Sequence, residues 1–142
     1  MASLKINRSL TIAAPVEVCH AFWSDPMNFK RTFDVVVEVV PLDDGRSRWT
    51  LNLPSGKQDD VIMMKTDSPG GVLTWSSAPG AITFNTAFVF VPADNGTAMT
   101  LETEIGMGGL QGMMLPAMRP VIEQRIDTVL ERFKQAVAGS AS

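Results

Sequence analysis

One histidine and one cysteine in 142 residues set a narrow limit on the side-chain chemistry this chain can perform. His20 is the group that titrates near neutrality without help, which makes it the first candidate for proton transfer. It falls on a helical stretch beside Trp23 and Ser24, so the alternative is a partly exposed helix histidine. Cys19 adjoins His20 in sequence, but successive residues of a helix do not face each other, so it reads as a small buried apolar residue rather than a nucleophile. One histidine and scattered carboxylates do not make a convergent ligand set, so no metal is expected. The run Gly106-Met107-Gly108-Gly109 resembles a phosphate loop superficially. No Gly-Lys-Ser/Thr and no strand-to-helix GxGxxG accompanies it, so no nucleotide or other cofactor is expected and the run reads as a flexible portal.

Carboxylates are the remaining acid-base groups, and strand parity sorts them, because successive side chains of a strand point to opposite faces. In 97–105, Met99, Leu101, Thr103 and Ile105 form the apolar face, which sends Glu102 and Glu104 to water. In 58–66 one set is Gln58, Asp60, Ile62 and Met64 and the other Asp59, Val61, Met63 and Lys65. The set ending in lysine is the better solvent face, which places Asp60 inside. A carboxylate there is costly if ionised and unpaired, so it must find a donor or take up a proton, and either state suits general acid-base work. Asp60 with His20 is therefore the predicted catalytic pair. The alternative is a rim position for Asp60, hydrated or paired with Arg48 or Lys57.

The elements that must position these groups are legible from periodicity. Leu4 to Ile12 alternates as a half-buried strand, and Ala14-Pro15 opens a short helix carrying Val18, Cys19, Phe22 and Trp23. A second short helix covers Met27 to Thr32. Strands are predicted at 35–42, 46–53, 58–66, 72–77, 82–91 and 97–105, separated by segments such as Asp43-Asp44-Gly45 and Asp94-Asn95-Gly96. Such successive hairpins imply an antiparallel meander. From Leu110 to Val137, Met114, Met118, Ile122, Ile126, Val129, Phe133 and Val137 recur at spacings of three and four, the signature of one long packing helix. Pro116 and Pro120 should kink or split it. Parity also turns Trp49, Trp75, Phe84, Thr86 and Phe88 inward alongside Met99, Leu101 and Thr103, and Arg119 and Arg125 bracket the helix's apolar face where an anionic head group could meet them.

Bulk composition agrees with one domain over 1–142, with a frayed tail at 137–142. Hydrophobic residues are 45% and charged residues 19%, the balance of an ordinary globular chain. A net charge of −3 without clustered Lys and Arg argues against nucleic acid. The absence of a 20-residue apolar run or a signal-peptide layout argues against a membrane and for the cytoplasm, which a single cysteine also suits. Nine Met, seven Phe and three Trp with no Tyr describe an adaptable, aromatic interior. A homodimer is compatible with these features.

Taken together, the stretches APVEVCHAFWSD (14–25), LDDGRSRWTLNLPSGK (42–57), DSPGGVLTW (67–75), FVFVPADNGTAMT (88–100) and LERFK (130–134) resemble the SRPBCC or START-like superfamily, in particular its small bacterial polyketide cyclase/dehydrase and ubiquinone-binding members. The resemblance covers nearly the whole chain, and the spacing of Trp49, Pro69, Trp75, Pro92 and Phe133 carries most of it. It implies an α+β helix-grip fold: a curved antiparallel sheet of about seven strands around a long C-terminal helix, with two short helices after the first strand. It also implies a cavity between sheet and helix, used in relatives for lipids, hormones, quinones or polyketide intermediates. This chain departs from the common pattern at 58–66, where it has Asp60 and Met63 in place of an aromatic and a Glu. The wall expected to bind ligand is Trp49, Trp75, Phe84, Thr86, Phe88, Met99, Leu101, Thr103, Met114, Met118, Ile122 and Arg125. A small hydrophobic molecule, aromatic or polyketide-like, is the expected partner, and a few polar groups in an apolar wall favour a cofactor-free cyclisation, dehydration or lyase step. The alternative is a carrier for a lipid or quinone without turnover.

Overall fold

The computed structural model describes residues 2–53, 56–68, 71–80 and 82–138. β1 (Ala2–Ile12) leads into α1 (Val16–Ser24) and α2 (Met27–Thr32). The meander that follows is β2 (Val36–Pro41), β3 (Arg46–Leu53), β4 (Gly56–Ser68), β5 (Val72–Ser77), β6 (Ile82–Ala93) and β7 (Gly96–Met107). After α3 (Gly109–Met114) and a 3-10 turn (Leu115–Met118), the chain continues into α4 (Arg119–Ala138). The sheet is antiparallel throughout, in the order β1-β7-β6-β5-β4-β3-β2. Hairpins order β2 to β7, whereas β1 reaches the far edge only by pairing with the last strand, Leu4 opposite Ile105 and Ile12 opposite Thr97.

The sheet curves, and α1, α2 and α4 sit on its concave side. α4 buries Ile126, Val129, Leu130, Phe133 and Val137, a stripe that its three- and four-residue spacing dictates. Burial of Val137 within the helix corrects the start of the expected tail: α4 runs to Ala138, because that last apolar turn still packs on the core. The rest of that tail, 139–142, lies outside the described residues. The expected split of the C-terminal helix holds, and its place is clear. Pro116 stands at the start of the 3-10 turn, and Pro120 is the second residue of α4, where its missing N–H is one that no helix could pair.

Most of the glycine run lies in regular elements. Gly106 is paired on both sides, with Ser3 of β1 and Thr83 of β6, and Met107 is buried, so β7 consumes the first half of the run, Gly108 alone links the two elements and Gly109 opens α3. Both flanking strands extend far enough to hydrogen-bond it, a long-range condition invisible to local composition.

Candidate functional site

The concave face is divided in two. On one side the aromatic side chains of α1 and α4 fill it: Trp23 stacks on Phe88 with ring centroids 4.6 Å apart and meets Phe133 at 5.1 Å and Phe29 at 5.3 Å. Phe88, Met99 and Leu101 lie fully buried within this packed half, so three of the residues expected to line a cavity are core instead. The reason is steric: Trp23 and Phe133 already occupy the space above that part of the sheet.

On the other side a cavity of about 470 Å³ remains open. Trp49, Trp75, Phe84, Thr86, Thr103, Met118, Ile122 and Arg125 line it, as parity and helical spacing predict. The α2 residue Phe29, Phe33 just after that helix, Val36 and Met63 also belong to the wall. Phe29 recurs four residues before Phe33, a helical spacing that could have marked them, but nothing local says that α2 faces the cavity. Met114 does not take part: it is 63% exposed, since α3 ends with its side chain outside the sheet.

Asp60 does not enter the cavity. Trp49 pairs with Val61 while Leu51 pairs with Gln58, so two steps on β3 match three on β4 and one extra residue is bulged out. Asp60 has φ +59°, a left-handed conformation that aspartate tolerates at a bulge. The bulge shifts the side-chain phase by one, and everything beyond it changes face. Hence Met63, opposite the buried Ser47, points in at 3% exposure and Met64 points out at 44%, the reverse of the uninterrupted alternation. The Asp60 side chain is 78% exposed and stands 3.6 Å from Arg48 Nε, in solvent rather than on the inward face that parity predicts.

His20 is likewise outside the cavity wall. Its Nε2 lies 2.6 Å from Asp67 Oδ1 and its Nδ1 3.3 Å from Ser24 Oγ, so its acidic partner is Asp67 and not Asp60. Lys65 Nζ donates to the Ser24 carbonyl at 3.3 Å. The shift in β4 again explains this, because it turns Lys65 and Asp67 toward α1. Serine, histidine and carboxylate in one chain of contacts suggests a hydrolytic triad by composition. Ser24, however, ends α1, where free carbonyls rather than N–H groups gather, so the helix itself offers no backbone oxyanion donors there. The arrangement fastens α1 to β4. Cys19 is buried, with its thiol pushed up by desolvation, as an inert core residue would be.

Polar groups inside the cavity are few. The hydroxyls of Thr86 and Thr103, directly paired across β6 and β7, lie 2.9 Å apart. At the mouth, Asp34 meets Arg132 through two contacts of 2.8 and 3.4 Å, and Arg132 also donates to the Thr32 carbonyl at 2.9 Å. Arg119 sits outside, paired with Glu123 and donating to the Lys5 carbonyl. Among the described residues no group of three or more His, Cys, Asp or Glu converges as a metal site would need, and no helix is long and apolar enough to cross a membrane.

The hydrogen bond from Arg132, and then its charge, hold the Asp34 carboxyl below the usual carboxylate range. A depressed folded-state value contributes stability above the unfolded value, about 3.9, and that contribution is lost as pH falls through the folded one. The stability difference between the wild type and Asp34→Asn, measured by denaturant titration across pH, should therefore be constant above about pH 5 and shrink below about pH 4. A difference that stays flat to about pH 2.5 would show that the pair has no effect on the fold.

Residues 3–138 match the family model described as polyketide cyclase / dehydrase and lipid transport. No curated protein matches the chain. Among solved structures, a protein from Thermus thermophilus superposes with a TM-score of 0.75 at 17% identity, over 99% of each chain. A START superfamily protein from Mycobacterium smegmatis gives 0.72 at 12% identity, over 93% of this chain and 98% of its own. The Zhui aromatase/cyclase from Streptomyces sp. R1128 gives 0.70 at 14% identity, over 95% and 96%. At these identities the structures speak for the fold alone, but the family model spans nearly every residue, and the chain belongs to the polyketide cyclase/dehydrase and lipid transport family.

Proposed function

We propose that this protein binds a small, largely apolar molecule with aromatic character, bearing at least one oxygen function, in the cavity between β3–β7 and α4. The supporting observation is the wall itself: Trp49, Trp75, Phe29 and Phe33 supply apolar surface, and the Thr86–Thr103 hydroxyl pair supplies one oriented polar point within it. Ligand sites combine burial and orientation in this way. Because either hydroxyl can donate, the pair suits a carbonyl as well as a hydroxyl group.

Trp49 and Trp75 make the binding directly visible, since a ligand in the cavity contacts two of the three tryptophans and should quench or shift their emission. Native mass spectrometry of protein purified from its own host identifies what is retained. Replacing both threonines by valine preserves shape, removes both partners together and should leave stability nearly unchanged. It should weaken an oxygen-bearing ligand by about threefold to tenfold, the loss of one net hydrogen bond. If no apolar or aromatic compound changes the tryptophan emission of the wild type, the binding reading fails.

Catalysis of a cofactor-free cyclisation or dehydration on the same molecule is the second reading, and the cyclases and dehydrases within the family favour it. The polar groups next to a bound molecule would then be Thr86, Thr103, Asn52 and, at the mouth, Asp34 and Arg125, whereas Asp60 and His20 lie outside the wall. Turnover of a polyketide-like aromatic precursor that survives Asp60→Asn and His20→Ala but falls in the Thr86→Val/Thr103→Val protein would assign the chemistry to the cavity.

A further inference from the structure

The cavity does not end at its apolar wall. A second, more polar cavity of about 320 Å³ lies between the α2–β2 connection and α4, and the two share Phe33, Asp34, Val35, Val121 and Arg125. The polar cavity is thus a continuation of the mouth, reaching on to Gln124, Thr128 and Arg132.

Three charged side chains line this continuation: Asp34, Arg125 and Arg132. Two of them are committed to each other, since Arg132 takes both oxygens of Asp34 and the Thr32 carbonyl besides. Arg125 makes no hydrogen bond or ion pair among the described residues and has only a longer-range attraction to Asp34. The helix explains its place. Arg125 stands three residues after Ile122 and one before Ile126, at the edge of the stripe that faces the large cavity, so its stem follows apolar surface and its guanidinium reaches the junction. One positive charge is left over where an apolar chamber opens into a polar one, presenting a planar fork of donors suited to an anionic oxygen pair.

Resting on the cavity reading above, we infer that the ligand is an amphipathic anion, with its apolar body against Trp49 and Trp75 and a carboxylate, sulfonate or phosphate group held by Arg125 where the two cavities join. A neutral apolar molecule of the same shape would fill the chamber and leave the guanidinium unused. The anionic group thus decides selectivity and the aromatic wall decides size.

A matched pair of fluorescent probes isolates the charge: N-phenyl-1-naphthylamine, and the same skeleton with a sulfonate, 1-anilinonaphthalene-8-sulfonate. The wild type should bind the sulfonate about tenfold more tightly than the neutral probe, the scale of a charge-assisted hydrogen bond at a partly hydrated site. Arg125→Gln should remove that advantage and leave the neutral probe unchanged. Arg119→Gln alters net charge equally, but Arg119 lines neither cavity and is paired with Glu123, so the advantage should persist. Raising salt should weaken the sulfonate alone. Equal affinity for both probes overturns the inference while leaving the cavity reading intact, as does an Arg125→Gln effect no larger than that of Arg119→Gln. If neither probe binds or perturbs tryptophan emission, the cavity reading itself falls.

Discussion

Trp23→Ala is expected to lower the free energy of unfolding by about 3–5 kcal/mol, the range for removing a buried aromatic side chain. Trp23 has no exposed surface and touches the rings of Phe22, Phe29, Phe88 and Phe133, which come from α1, α2, β6 and α4. Its backbone carbonyl also accepts the indole N–H of Trp75 at 2.8 Å. Removing the ring therefore takes the common contact out of a packed half that cannot collapse onto one atom. With about 5–15 kcal/mol of total stability in a domain of this kind, such a loss is a large share of the whole. Trp23→Phe should cost much less. The Trp23 indole N–H is buried without a hydrogen-bond partner among the described residues, so the smaller ring loses contact area but also removes an unsatisfied donor. Chemical denaturation of both proteins decides the matter. An alanine variant within about 1 kcal/mol of the wild type would mean that the cluster is not the keystone of the fold.

Gly96→Ala should be more severe still, costing more than about 4 kcal/mol, in the range reserved for backbone strain and steric overlap. Gly96 opens β7 at φ +153°, and a Cβ built there would fall 1.9 Å from the Ile12 carbonyl oxygen and 3.0 Å from the Ala14 amide nitrogen. Both neighbours are backbone, at the end of β1, and neither can rotate away. The next residue, Thr97, pairs with Ile12 and donates its hydroxyl to the Ala14 carbonyl at 2.8 Å, so the junction has no slack on that side. Relief would require β1 to leave β7, and with it the closure of one sheet edge. A Gly96→Ala protein that melts within a few degrees of the wild type would show that the close approach is not maintained in solution.

The contrast between β7 and β4 shows how far strand parity reaches. In β7 the alternation is unbroken, and Met99, Leu101, Thr103 and Ile105 face inward with Glu102 outward, as their order requires. In β4 the same rule fails at one residue. The bulge at Asp60 depends on β3 accommodating an extra residue opposite Thr50, and nothing within 58–66 announces that mismatch. A single phase shift then moved Asp60 out to solvent, brought Met63 into the cavity and swung Asp67 to His20. The Asp-Gly turns and apolar strands were legible because each is local. The pairing that decides phase is not.

The sequence by itself determined the antiparallel meander and the apolar stripe of α4, because turn chemistry and two- and 3.6-residue periods are written in neighbouring side chains, and the resemblance of whole stretches pointed to the family. It also marked eight residues of the cavity wall, from Trp49 to Arg125. Tertiary structure decided which half of the concave face stays open, since Trp23 and Phe133 fill one side only after α1 and α4 have docked. It likewise decided that Arg125, rather than Arg119, is the cation left at the mouth, because Glu123 and the Lys5 carbonyl occupy one and Arg132 keeps Asp34 from the other. Burial and charge pairing are set by what arrives from distant parts of the chain, and no local pattern carries that information.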